Sequence, residues 1–190
     1  MAETIHSYAL CTLAQVKTTL GITDSANDDI LTRLINATTD YIESYCDRRF
    51  ALTQYTDEYY NGYGDDELVL RQFPISEAEE DVPTISFIDK GTETAVSIDD
   101  CEIYYDEGII YYSIFPKGRK NIKISYKAGY ATIPADLAQA CIEIVVANYN
   151  RSKTVAVKSE SIGSYSVTYA DVQASPHAKG ILNLYRNPNL

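Results

Sequence analysis

The chain has no tryptophan, one methionine, two histidines and four cysteines among 190 residues, and each scarcity excludes something. Cys11, Cys46, Cys101 and Cys141 show no C-x-x-C spacing, and with only His6 and His177 to join them they make no zinc set. They read as reduced, mostly buried, small apolar residues. No hydrophobic run approaches the roughly 20 residues that span a bilayer. Polar Glu3, Thr4 and His6 stand where a signal peptide would carry its basic and apolar regions, so a cytosolic product is expected. None of the nine glycines falls in a G-x-G-x-x-G or G-x-x-x-x-G-K-[ST] pattern, and no cofactor is expected. A catalytic triad would have to use His6 or His177, neither of which stands in a recognisable nucleophile motif.

Basic residues are scarce where acidic ones crowd. The net charge is −11, and between Asp57 and Glu107 sixteen carboxylates face only Arg71 and Lys90, whereas Gly108 to Leu190 holds ten basic and four acidic residues. Such segregation would give each copy an acidic and a basic surface, which favours head-to-tail association. Solvated loops that keep the protein soluble account for it equally well. The overall sign argues against a tight, nonspecific DNA clamp, which needs clustered Lys and Arg.

Two features leave other functions open. The pairs Asp65-Asp66 and Asp99-Asp100 could ligate Ca²⁺ or Mg²⁺, the basis of a divalent-metal-dependent hydrolase as one alternative. Neither has the spacing of a calcium-binding loop, and solvated turns explain them better. The seventeen tyrosines include Tyr59-Tyr60, Tyr104-Tyr105 and Tyr111-Tyr112, which put one ring on each face of a strand. Exposed tyrosines suit protein interfaces. They also stack on sugars, so a carbohydrate- or receptor-binding β module is the other alternative, while ordinary β-sheet packing accounts for many of them.

The pattern predicts a short helix from Thr12 to Leu20, opened by a Thr12/Gln15 capping box and ended by Gly21, and a long helix from Asp28 to Asp47 with Ile30, Leu31, Leu34, Ile35, Thr38, Ile42 and Tyr45 on one face. Strands are expected at Tyr55–Tyr60, Leu68–Arg71, Ile85–Asp89, Ala95–Ile98, Glu102–Tyr105, Ile109–Tyr112 and Asn121–Lys127. Turns are expected at Asn61-Gly62, Asp89 to Gly91, Asp106 to Gly108 and Pro116 to Gly118, with a hairpin loop of two or three residues between Tyr104 and Tyr112. Ser76 to Asp81 reads as an exposed loop. The stretch from Ile122 to Leu137 carries a strand through Gly129 into a helix that runs from Pro134 to Asn150. That helix is apolar on more than one face, which calls for burial on two sides, within the subunit or against a neighbouring copy. A strand around Tyr165, Val167 and Tyr169 and a short helix capped by Ser175-Pro176 complete the chain. The fold class is therefore α+β: a small helical core with an inserted antiparallel β subdomain. One domain is expected overall, with core helices in 1–50, the β insertion in 51–130, a core helix in 131–153 and a β segment and tail in 154–190.

The segments Leu13 to Ile22, Asp28 to Ala37 and Ile42 to Phe50, then Leu70 to Ile75, Tyr126 to Tyr130, Ile133 to Leu137 and Glu160 to Tyr169, resemble in order the head-tail connector (adaptor) proteins of tailed phages. The long β insertion is similar to a longer branch found in phages and gene transfer agents. The resemblance implies a structural role without catalytic residues, in a ring of about twelve copies beneath the portal that joins the filled head to stopper and tail proteins and lets DNA pass. It implies assembly in the host cytoplasm and residence in the neck of the virion, with the β insertion on the outer side of the ring. Candidate subunit contacts are Leu137, Ile142, Val146 and Tyr149; candidate portal contacts are Tyr165, Tyr169, Leu182, Tyr185 and Arg186. On this reading, removal of residues 171–190 is expected to impair attachment to portal while leaving the core folded.

Overall fold

A computed structural model describes residues 3–155 and 175–187. Among them the order is α1 (Leu13–Leu20), α2 (Asp28–Cys46), β1 (Thr53–Gly62), β2 (Glu67–Val69), β3 (Thr84–Asp89), β4 (Thr92–Val96), β5 (Glu102–Tyr104), β6 (Ile109–Tyr111), β7 (Gly118–Ala128), α3 (Ala135–Val155) and α4 (Pro176–Leu184). The fold is α+β, and the chain divides into two compact units, one of residues 1–47 and 133–190, the other Arg48–Thr132.

The helical unit starts where the capping box requires. Thr12 accepts from the Gln15 amide, Gln15 returns the bond to the Thr12 amide, and Gly21 closes α1 at φ 67°. Lys17 reaches Asp28 at 2.7 Å, joining the end of α1 to the negative first turn of α2. α3 packs against α1, α2 and α4, so its broad apolar surface is used inside the chain: Leu137, Ala140, Cys141 and Val145 are fully covered. α2 buries Leu31, Ile35 and Ile42 as its spacing predicts. It also buries Thr32, Asn36, Thr39 and Glu43, a second, polar stripe at helical spacing. Asn36 accepts from the His6 amide at 3.0 Å and donates to the Thr4 carbonyl at 2.9 Å, fastening the start of the chain along α2.

α4 belongs to the same core. Ser175 caps it, Ala178 and Leu182 have no exposed surface, and the Asn187 amide donates to the Cys46 carbonyl at 2.9 Å. The expectation that residues 171–190 can be removed from an intact core is therefore wrong: losing Leu182 alone removes a fully buried aliphatic side chain, worth roughly 2–5 kcal/mol.

In the β unit, one sheet has the order β1-β7-β3-β4 and a smaller one β2-β6-β5, all pairs antiparallel. β7 is central, and its inward residues Ile122, Ile124, Tyr126 and Ala128 alternate with half-exposed ones at the two-residue period of a strand. They pack with Leu68, Leu70, Ile85, Ile110 and Phe115. β1 carries a bulge between Tyr55 and Glu58, where Asp57 turns to φ 53° and its amide donates to the Ser125 hydroxyl oxygen at 2.9 Å. The extra residue reverses the parity of the strand, so that Tyr55 and Tyr60, five positions apart, face β7 partners of the same phase, Tyr126 and Ile122.

Several local expectations are corrected. Asn61-Gly62 is the end of β1 rather than a turn; a Cβ on Gly62 would stand 1.9 Å from the Pro116 carbonyl oxygen. β4 begins at Thr92 and stops at Val96, with Ile98 in a single 3-10 turn, because Lys90 and Gly91 both take positive φ and close a two-residue hairpin loop. Tyr104 pairs with Ile109, so the loop of the β5-β6 hairpin holds four residues. The exposed 76–81 stretch is pinned at its end: Ser76 Oγ donates to Asp81 at 2.6 Å, and Lys127 Nζ lies 3.0 Å from the same carboxylate. These bonds hold the Asp81 carboxyl below its ordinary range, the serine bond contributing most. The expected strand at Tyr165–Tyr169 lies outside the described residues.

The β unit closes where the chain passes in and out of it. The Tyr130 amide donates to the Phe50 carbonyl at 2.7 Å, the Leu52 amide to the Tyr130 carbonyl at 3.1 Å, and the Gly129 amide to the Pro74 carbonyl at 2.8 Å. Gly129 has φ 112°, and a Cβ there would stand 2.6 Å from the Ala51 oxygen and 2.8 Å from the Phe50 oxygen. Gly129→Ala is expected to cost at least about 1–2 kcal/mol, since the new methyl meets backbone that cannot swing aside. A urea titration monitored by tyrosine fluorescence would register this as a lower midpoint with an unchanged slope.

Candidate functional site

The phenols of Tyr60 and Tyr126, under the bulge of β1, are strongly perturbed ionisable groups. Both donate to Glu58 Oε2, at 2.7 and 3.0 Å, and their hydroxyls lie 3.3 Å apart. The Arg71 amide donates to the Tyr60 hydroxyl at 3.1 Å, and the Arg71 guanidinium lies 3.6 Å from Glu58 and 4.4 Å from the centre of the Tyr60 ring. Burial pushes the Tyr60 phenol up to about 12, and burial followed by the neighbouring Tyr60 pushes Tyr126 further. Such shifts mark candidate catalytic groups. The direction here is the wrong one for an attacking group, since a phenol held neutral is a poor base and a poor nucleophile. The cluster does have the chemistry of a clamp: it joins the two strands of the sheet across their bulge and satisfies each buried oxygen.

A second constellation also has the residue types of a catalytic site without the geometry. Ser175 Oγ and His177 Nδ1 each lie 3.2 Å from Glu143, but the hydroxyl approaches the carboxylate, not the imidazole, and it accepts the Ala178 amide at 3.0 Å as the helix cap. Glu143 thus supports the N-terminus of α4. Asp65 and Asp66 use their main chains, whose carbonyls accept from the Phe115 and Tyr112 amides at 2.8 and 2.9 Å. Asp99 and Asp100 lie in the 3-10 turn after β4. No group of three or more His, Cys, Asp or Glu side chains converges among the described residues.

Part of the charge segregation seen along the chain is paired in space. β7 carries the basic residues, and its neighbours carry the acidic ones: Lys123 lies 2.5 Å from Glu93 and 3.6 Å from Asp57, and Lys127 pairs with Asp81. Antiparallel pairing across the sheet brings together what the sequence separates.

Of the expected subunit contacts, Leu137, Ile142 and Tyr149 are buried within the helical unit, at 0, 6 and 2% exposure, and have almost no surface to offer a neighbouring copy; Val146 is half-buried. Of the expected portal contacts, Leu182 is likewise core. Tyr185 is half-buried and donates to Asp136 at 2.7 Å, Arg186 is exposed with its guanidinium 5.9 Å from the centre of the Tyr45 ring, and Tyr165 and Tyr169 lie outside the described residues. The exposed apolar surface is elsewhere. In the helical unit Tyr41 is 43% and Leu184 80% exposed. Tyr41 leads to Tyr45 with ring centres 6.2 Å apart, and Tyr45 donates to Asn183, next to Leu184, at 2.7 Å. This strip escapes a search for apolar periodicity, because Tyr41 and Leu184 fall off the buried stripes of their helices. In the β unit Tyr63 and Ile114 are the most exposed apolar residues, at 71 and 60%. Tyr63 lines a groove of about 500 Å³ with Asp65, Asp66 and Glu67.

Because Tyr60 ionises only near 12 in the folded chain and near 10 when unfolded, its contribution is whole below pH 10 and lost as pH rises through 12. Urea midpoints are therefore expected to fall between pH 10 and 12. The double substitution Tyr60→Phe, Tyr126→Phe should flatten that fall, whatever its effect at pH 7.

The family model described as Head completion protein matches residues 9–188. No curated protein sequence matches. Among solved structures, a chain from the neck of an empty gene transfer agent particle computed with C6 symmetry superposes with a TM-score of 0.62 at 16% identity, covering 100% of this chain and 97% of that one. A chain from the neck of the native particle computed with C12 symmetry gives 0.57 at 18% identity, with the same coverage. A chain from the virion of the native particle gives 0.55 at 18%, covering 93% of this chain and 89% of that one. The shared fold spans both units.

Proposed function

The chain belongs to the head completion protein family, a structural component of the virion that connects head and tail, and from that premise we propose how it makes the connection. Twelve copies form a ring in the neck, attach to the portal on one side, receive the stopper or a tail-completion protein on the other, and act without catalysis. Support for the ring comes from the likeness over the whole chain to neck proteins whose particles were computed with C6 and C12 symmetry, since a twelvefold ring contains the sixfold axis. The acidic subunit suits a channel that DNA must traverse without being held, because tight binding needs phosphate-neutralising cations.

The observation that supports a contact surface is the strip of Tyr41, Tyr45, Leu184 and Arg186. It combines exposed aromatic and aliphatic area with an arginine, the composition of interface centres. We assign it to the portal; it replaces buried Leu182 in that role and retains Arg186 from the sequence reading. Tyr41→Ser with Leu184→Asp is expected to weaken co-sedimentation with portal at least about tenfold. The melting temperature should stay within roughly 2 °C, because neither side chain supports the core. Undiminished co-sedimentation would move the portal surface elsewhere.

A further inference from the structure

Outside the proposed contact surfaces, the helical unit holds a pair of buried thiols in contact with each other. Cys11, just before the cap of α1, and Cys141, in the middle of α3, place their sulfurs 3.6 Å apart, in van der Waals contact. The Thr39 hydroxyl of α2 completes the cluster, accepting the Leu10 amide at 3.3 Å and bonding Cys141. Cys11 retains 4% exposure and Cys141 none.

We propose that Cys11 and Cys141 are a disulfide site that stays open during assembly inside the cell and closes when the released particle meets a hydroperoxide. Particle surfaces outside cells are oxidising, whereas intracellular thiols are kept reduced. The Cys11 thiolate attacks one peroxide oxygen, the O–O bond breaks, and water leaves, giving a sulfenic acid on Cys11. The Cys141 sulfur then attacks the Cys11 sulfur, the S–O bond breaks, a second water leaves, and the disulfide forms. Two thiols are thereby oxidised by two electrons and one hydrogen peroxide is reduced to two waters. The Cys141 thiol, as hydrogen-bond partner, holds the Cys11 thiol below its ordinary pKa against the opposing effect of burial, which favours the Cys11 thiolate as the attacking sulfur. The bond ties the start of α1 to α3 across a loop of the intervening 12–140 segment, so it stabilises by restricting the unfolded chain.

The reduced full-length protein, treated with hydrogen peroxide while folded, should lose two hydrogens in intact mass and yield a joined Cys11–Cys141 peptide pair on digestion without reductant. Its melting temperature should rise on the order of 5 °C, and dithiothreitol should reverse the rise. Cys141→Ser should abolish both changes and leave a Cys11 sulfenic acid that dimedone traps; Cys141→Ala serves if the serine fails to fold. Cys101→Ser should change neither. An unchanged mass, or a joined pair using Cys46 or Cys101, would overturn the proposal, as would a joined Cys11–Cys141 pair with no gain in melting temperature. Portal co-sedimentation is independent of this outcome, so the two readings fail separately.

Discussion

The structure depends on the closure of the β unit upon its own ends. A segment of 85 residues, Arg48–Thr132, interrupts the helical unit between α2 and α3, yet those two helices pack together as neighbours. This is possible only if the interruption begins and ends at nearly the same place. Phe50, Leu52, Gly129 and Tyr130 enforce that with paired backbone bonds, and Gly129 permits an approach that any side chain would prevent. Arg48 strengthens the same region, its guanidinium 3.7 Å from the centre of the Phe73 ring and bonded to the Phe73 carbonyl. A cation over an aromatic face can hold position in a buried site where a bare charge would not.

Given closed ends, each unit solves its own packing problem. The helical unit wraps three helices on α3, and so uses in one chain the apolar breadth that two copies could have shared. The β unit uses β7 as a spine with opposite charges on its flanks, and bends β1 with a bulge so that both of its inward tyrosines reach the core side. What remains for assembly is the residue of these solutions: apolar side chains that neither core needed, such as Tyr41, Leu184, Tyr63 and Ile114.

Much of the fold was legible in the sequence, because the signals were local. Thr12, Gln15 and Gly21 state both ends of α1 by their chemistry, and the alternation of Ile122, Ile124 and Tyr126 states a strand. The misreadings arose where the deciding partner lay far along the chain. Asn61-Gly62 has the composition of a turn, but Gly62 is there to let the Pro116 carbonyl approach. Thr32, Asn36, Thr39 and Glu43 carry no apolar signal, and two of them are buried as partners of the backbone amides of residues 6 and 10. Leu137 and Leu182 look equally available to a neighbour or to the core, and only the packing of α3 and α4 assigns them. The family resemblance reached the connector role from motif order, which survives such errors. It did not single out Tyr41 or Leu184, whose exposed side chains fall outside the buried stripes of their helices.

The central claim is that this chain completes the head by linking it to the tail. Electron microscopy of particles assembled without the protein tests it most directly. DNA-filled heads lacking tails, restored to full particles by adding the purified chain, are what the account predicts; particles with normally attached tails in its absence would contradict it.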